Sequence, residues 1–199
     1  EQLRAIDMTE AYFRKEGGDR RFLWNAKMRF GKTYSAYKLA ERMGWSRILV
    51  LTFKPAVETA WADDLRTHAD FSGWRFVGNG ETAADISDPA PLVWFTSLQA
   101  LLGRDQDGEM RARFDALRET EWDCVFIDEY HFGAWRDAAR EVYDRGETDV
   151  ADADDAAPED IPVRSAHYLY LSGTPFRALA SGEFMEDQIF NWTYQDEQA

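Results

Sequence analysis

The chain has little cysteine, a deficit of positive charge and no long apolar run. Its one cysteine, Cys124, lies inside the apolar run Cys124-Val125-Phe126-Ile127. A single cysteine in that setting excludes a disulfide framework and a cysteine-ligated zinc site, and it suits a reducing cytoplasm. No apolar stretch approaches the ~20 residues that span a bilayer as a helix, and no secretory leader pattern opens the chain. The sequence starts without Met inside a helix-like pattern, as expected of a segment of a longer polypeptide. It has no internal repeat. Lys and Arg number 23 against 37 Asp and Glu, for a net charge of −14. That balance disfavours a stand-alone nucleic-acid binder with a basic face. It leaves room for one half of a larger motor, whose groove needs only local positive charge. What is present is ample for a core: 199 residues, 45% hydrophobic and 15% aromatic, enough for one domain.

Periodicity predicts strands alternating with helices. Leu3, Ile6, Ala11 and Phe13 mark an opening helix over 2–14, ended by Gly17-Gly18-Asp19. A first strand follows at 21–25, then a turn and a helix to Met43, broken by Gly44. Arg47 to Thr52 is apolar almost throughout, as a parallel strand buried on both faces should be. Pro55 stops it, and a helix is expected over 56–68. Further strands are expected at 74–77, 92–96, 123–128 and 167–172, with a short last one at 189–192. Helices are expected near 97–102, 108–119 and 134–144. This order defines an α/β fold: a mostly parallel central sheet flanked by helices on both faces, spanning 1–199 as one domain. An acidic insertion at about 146–162 interrupts it. Its segment 147–160 carries seven acidic residues and no basic one, and it reads as solvated.

Three motifs sit at predicted strand ends. The first is Ala26-Lys27-Met28-Arg29-Phe30-Gly31-Lys32-Thr33, between a strand and a helix. Gly-Lys-Thr at such a turn grips phosphate, because the turn and the helix N-terminus present backbone N–H groups to it. Lys32 can reach β/γ oxygens and Thr33 can ligate Mg²⁺. The nucleotide-binding stretch is Met28, Arg29, Phe30, Gly31, Lys32, Thr33 and Tyr34. Ala26 stands where the usual pattern has Gly. Arg29 stands where many nucleic-acid motors have Gly, a residue that permits backbone angles Arg does not. The second motif is Asp128-Glu129-Tyr130-His131. Adjacent acids at a strand end can place one carboxylate, Asp128, toward the metal and the other, Glu129, toward the attacking water. His131 can sense the γ-phosphate. The third is Ser172-Gly173-Thr174-Pro175, where the hydroxyls of Ser172 and Thr174 can couple the nucleotide state to domain movement. Thr52-Phe53-Lys54-Pro55 and Thr96-Ser97-Leu98-Gln99 follow two other strands on the same edge. Lys54, Pro55, Thr96 and Ser97 suit phosphodiester contacts there. Ordinary helix capping explains the hydroxyls equally well, Ser97 above all.

With these three motifs in this order, the chain resembles the first RecA-like domain of superfamily 2 helicases and translocases over nearly its whole length. Lys27 to Thr33 together with Asp128 to Gly133 look most like the DExH motors of restriction-type enzymes, type III and type I in particular. The resemblance implies ATP and Mg²⁺ as cofactors and DNA as the polymer. It implies Gln2 at the adenine, Lys32 and Thr33 at phosphate and metal, Asp128 at the metal and Glu129 as base. It also implies a second RecA-like domain, supplying an arginine finger, that this chain does not contain. Nuclease or methyltransferase domains or subunits are the further partners. The activity expected of the full-length protein is DNA-dependent ATP hydrolysis in a restriction-modification or related defence system, the fragment alone being inactive. An RNA helicase core is the second reading. A nucleotide-gated interaction module without turnover is the third, and the intact Glu129 argues against it.

Overall fold

Residues 1–17, 19–27, 29–79, 88–98, 100, 115–130, 163–173 and 183–192 are described by the computed structural model. The expectations for Met28, His131, Thr174, the helix at 134–144 and the acidic segment lie outside these residues. The strands are β1 Arg21–Ala26, β2 Arg47–Thr52, β3 Arg75–Val77, β4 Leu92–Ser97, β5 Glu121–Trp122, β6 Cys124–Asp128, β7 Arg164–Ser165, β8 Tyr168–Ser172 and β9 Ile189–Trp192. The helices are α1 Gln2–Phe13, α2 Lys32–Met43 and α3 Glu58–Thr67. Seven strands form one sheet in the order β3-β4-β2-β6-β8-β1-β9. Every neighbouring pair in it is parallel.

The strands are apolar on both faces because both faces are covered. Side chains alternate along a strand, so Ile48 and Val50 of β2 join one cluster while Leu49 and Leu51 join the other. On the first face Trp24 and Val50 pack under Ala5, Ile6 and Tyr12 of α1, Ala36 to Ala40 of α2, and Trp61 and Leu65 of α3. On the second face the cover comes from Leu98, Leu117, Trp122, Tyr130, Val163 and Phe184. Each fully buried large side chain contributes about 1.5–3 kcal/mol relative to exposure. The indole N–H of Trp24 is satisfied by Thr9 Oγ1 at 2.7 Å, which ties β1 to α1.

Some boundaries differ from the sequence reading, for local reasons. The helix expected over 56–68 opens as a 3₁₀ turn, Pro55–Val57, and α3 ends at Thr67 because His68 is extended. Asp123 stays outside β6. Its carboxylate turns back to accept the N–H groups of Ser46 and Arg47 at 2.7 and 2.9 Å. His167 stays outside β8, where its Nδ1 meets Asp123 O at 3.0 Å. The parallel ribbon β5-β7 was not expected, since two-residue strands carry no periodicity. Residues 115–119 are helical, within the segment where a helix was expected.

The register brings the motifs to one edge. Thr52 pairs with Ser97 on one side and Asp128 on the other. Asn25, just before the Gly-Lys-Thr loop, pairs with Ser172 and Asn191. The carboxyl ends of β4, β2, β6, β8, β1 and β9 therefore line up, which is where open parallel sheets bind ligands. Among the described residues no helix is long and apolar enough to cross a membrane.

Candidate nucleotide-binding site

The loop between β1 and α2 is held tightly. Phe30 is buried, with its ring 5.6 Å from Phe190 and 5.2 Å from Trp192. Lys27 is buried too, its ammonium 4.5 Å from the centre of the Trp192 ring. Arg29 adopts φ 69° and Gly31 φ 80°. The left-handed angle that favours glycine is thus kept at Arg29, at a cost of ~1–2 kcal/mol for an L side chain. Gly31 has a second constraint: a Cβ there would lie 2.5 Å from Gln2 Nε2. That same amide donates to Phe30 O at 2.6 Å. Gln2 therefore reaches the loop from α1.

Lys32 opens α2 and folds back into the loop. Its Nζ donates to Ala26 O at 2.8 Å and Lys27 O at 3.2 Å. Burial pushes its pKa below the usual lysine value, and the negative charges of Asp128 and Glu129 oppose that shift. Thr33 follows in the first turn. That turn has no acidic residue and no side-chain cap among the described residues. Its N–H groups are directed toward the loop by helix geometry alone. The Tyr34 ring packs 4.5 Å from His68 and its hydroxyl donates to Asp70 at 3.2 Å.

Asp128 ends β6 and is buried. Its Oδ2 accepts the Trp61 indole N–H at 2.8 Å, and its Oδ1 accepts the Glu129 N–H at 2.8 Å. Burial raises its pKa above the usual carboxylate value; those two donors and Lys32 pull it down, and the Glu129 charge adds to the rise. Glu129 takes φ 55° and pairs with Lys54, Nζ to Oε2 at 3.2 Å. Tyr130 is buried and its N–H donates to Leu171 O at 2.8 Å, so the loop after β6 is hydrogen-bonded to β8. Gly173 lies beside Lys32: a Cβ on it would be 3.9 Å from Nζ. The structure thus gathers Lys32, Asp128, Glu129 and the Ser172-Gly173 turn around one loop, with Gln2 across it.

The other edge residues divide. Lys54 is exposed and Pro55 begins the turn into α3. Ser97 Oγ accepts the Ala100 N–H at 3.2 Å, the geometry of a helix cap. Thr96 is fully buried within β4. Sequence reasoning missed Trp61, Lys27, Trp192 and the Asn25–Asn191 side-chain bond of 2.7 Å. An indole on an amphipathic helix reads as core, and the partners of the other three are distant in sequence.

Lys32 is a cation and Asp128 an anion, both held off water. A phosphoryl group beside the first and a divalent cation beside the second would each favour the charged form. Mg²⁺ is ordinarily held by one or two carboxylates together with phosphate oxygens. The donor set around Lys32 and Asp128 fits a phosphate group and a divalent cation.

No protein-family model matches the chain. It is 32% identical over 226 residues to a Mycoplasma pneumoniae protein provisionally named the C-terminus of a type II restriction enzyme and methyltransferase. That alignment takes in 100% of this chain and 31% of the relative. In structure it is similar to a Sulfolobus solfataricus SWI2/SNF2 ATPase core solved with double-stranded DNA. The TM-score is 0.58 at 16% identity, over 94% of this chain and 33% of that one. It is also similar to a nuclease-deletion mutant of the type ISP restriction-modification enzyme LlaGI, solved with a DNA substrate mimic. There the TM-score is 0.52 at 16% identity, over 87% of this chain and 17% of the enzyme. The chain has a RecA-like α/β fold, and it spans about a third or less of each of these three proteins.

Proposed function

We propose that the chain is the first RecA-like, ATP-binding domain of a DNA-dependent ATPase, a helicase or translocase of a restriction-modification or related defence system. The observation that carries this reading is the convergence of Lys32, Asp128, Glu129 and the Ser172-Gly173 turn at one edge of a helicase-type sheet. The restriction-enzyme relative and the DNA-bound structural neighbours support the setting.

Lys32 would leave the carbonyls of Ala26 and Lys27 and meet the β/γ oxygens, while the first N–H groups of α2 hold the β-phosphate. Thr33 and Asp128 would hold Mg²⁺, which when bound neutralises phosphate charge. Glu129 would orient the attacking water and take its proton. Gln2 would read the adenine edge, and the Ser172 hydroxyl would report the nucleotide state to a second domain. Lys54, Pro55 and Ser97 form the edge that would face a DNA strand. A second RecA-like domain of the full-length protein would complete the site with an arginine finger, and nuclease or methyltransferase parts would use its motion.

The test is calorimetric titration of Mg-ADP into the full-length protein and its Lys32→Ala variant. The variant is expected to lose nearly all binding heat. Equal heats in both proteins would remove Lys32 from the phosphate site and with it this reading.

A further inference from the structure

Asp128 is held by two donors of different kinds. One is the N–H of the next residue, Glu129, at 2.8 Å. The other is the indole N–H of Trp61, at 2.8 Å, from a helix 67 positions away in sequence. The chain neighbour supplies the first wherever the backbone turns this way. The second requires α3 to carry a tryptophan at this one position.

Trp61 is itself fixed from several sides. It is 1% exposed. The Tyr37 ring meets it edge-on at 5.3 Å and 85°, and the Tyr37 hydroxyl donates to Trp61 O at 2.9 Å. Phe126, two residues before Asp128 on β6, lies 5.9 Å from it. A buried indole N–H needs an acceptor, and a phenylalanine or leucine would fill the same space without that demand. The terminal torsion of an aspartate is broad and roughly two-fold. With Glu129 N–H alone, the carboxylate plane would be loosely set. With the indole on the other oxygen, both ends of the carboxylate are anchored.

We propose that Trp61 is a positioning residue for the metal-holding carboxylate: its indole N–H fixes the plane of Asp128 so that the carboxylate meets Mg²⁺ already oriented. This rests on the reading of Asp128 as a metal-side group. Outer donors of this kind set the orientation of ligating carboxylates and are paid for in metal affinity when removed. The arrangement also runs through α3, whose first turn follows Lys54 and Pro55, and through Tyr37 on the helix that begins with Lys32. Any shift of α3 on its sheet would therefore move the donor on Asp128.

The experiment uses the full-length protein and its Trp61→Phe variant, which keeps an aromatic ring and removes the N–H. A fluorescent N-methylanthraniloyl-ADP is titrated into each, once with Mg²⁺ and once with EDTA. The variant is expected to match the wild type in EDTA, while its gain in affinity from Mg²⁺ falls by about 10–100-fold. An unchanged gain overturns the proposal, and so does an equal loss of affinity in EDTA, which would make Trp61 a packing residue. If the wild type itself gains nothing from Mg²⁺, the assignment of Asp128 falls first, and this inference with it. If Trp61→Phe does not fold, a crystal structure of the wild-type protein with Mg²⁺ and nucleotide decides. Asp128 facing the ion with its indole bond intact supports the proposal; an ion-facing Asp128 with the indole bonded elsewhere overturns it.

Discussion

Glu129 sits at φ 55° and Arg29 at φ 69°, the two non-glycine residues with left-handed backbone among those described. Each costs ~1–2 kcal/mol, and such strain gathers at functional sites where the surroundings hold it in place. At Glu129 the strained turn lifts the carboxylate off the end of β6 while Asp128, one residue earlier, stays buried beneath it. Glu129→Gln keeps size and backbone and removes the carboxylate proposed as base. In the full-length protein, Mg-ATP binding should be retained, while DNA-stimulated phosphate release falls by ~10²–10⁴-fold. A kcat equal to that of the wild type would move the base to another residue. The places of Lys32 and Thr33 at a helix start and of Asp128 and Glu129 at a strand end were legible in the sequence, because each adjoins a run with clear periodicity. Trp61 was not, because a tryptophan on an amphipathic helix looks the same whether its N–H serves a core acceptor or a site carboxylate. The Lys54–Glu129 pair was hidden for another reason: its members are 75 positions apart, and only the register of β2 with β6 brings them together.

The helix α2 runs from Gly31 to Gly44, and both ends are left-handed. The two glycines answer different needs. Gly31 has no room for a Cβ beside Gln2, whereas Gly44 has nothing within 4 Å of one. Gly44→Ala therefore tests backbone preference alone. It should destabilise the fold by about 1–2 kcal/mol through the left-handed C-cap. The check is the urea midpoint at unchanged slope; an unmoved midpoint would mean that the helix end relaxes. Six-residue strands such as Arg47–Thr52 were readable from composition, because a strand covered on both faces has nothing polar to interrupt it. The ends were less readable. Asp123 and His167 look like strand residues and serve instead as brackets between β6, β2 and β8. Ser97 looked like a loop hydroxyl and is the last residue of a strand, since β4 runs one residue beyond Thr96.

At the scale of the whole chain, one RecA-like domain covers only one side of a transition state that spreads charge over the γ-oxygens. An arginine finger on the other side is worth ~10³–10⁵ in rate. Arg29 belongs to the loop itself and cannot close over it. The 199 residues alone should therefore release phosphate negligibly, with or without duplex or single-stranded DNA, when measured beside the full-length protein. Comparable turnover by the fragment would mean that the site is complete within it. The sheet order has a further consequence, for the birth of the protein. The strand that feeds the Gly-Lys-Thr loop, β1, pairs among the described residues with β8 and β9 alone. Strands β2, β3, β4 and β6 can join one another as they emerge from the ribosome. β1, made before all of them, has no neighbour until Tyr168–Ser172 and Ile189–Trp192 are synthesised. At ordinary elongation speeds that wait is on the order of ten seconds. The Gly-Lys-Thr loop is thus made well before the strands that dock its own, so a nascent chain stalled before β8 would carry that loop on an undocked strand.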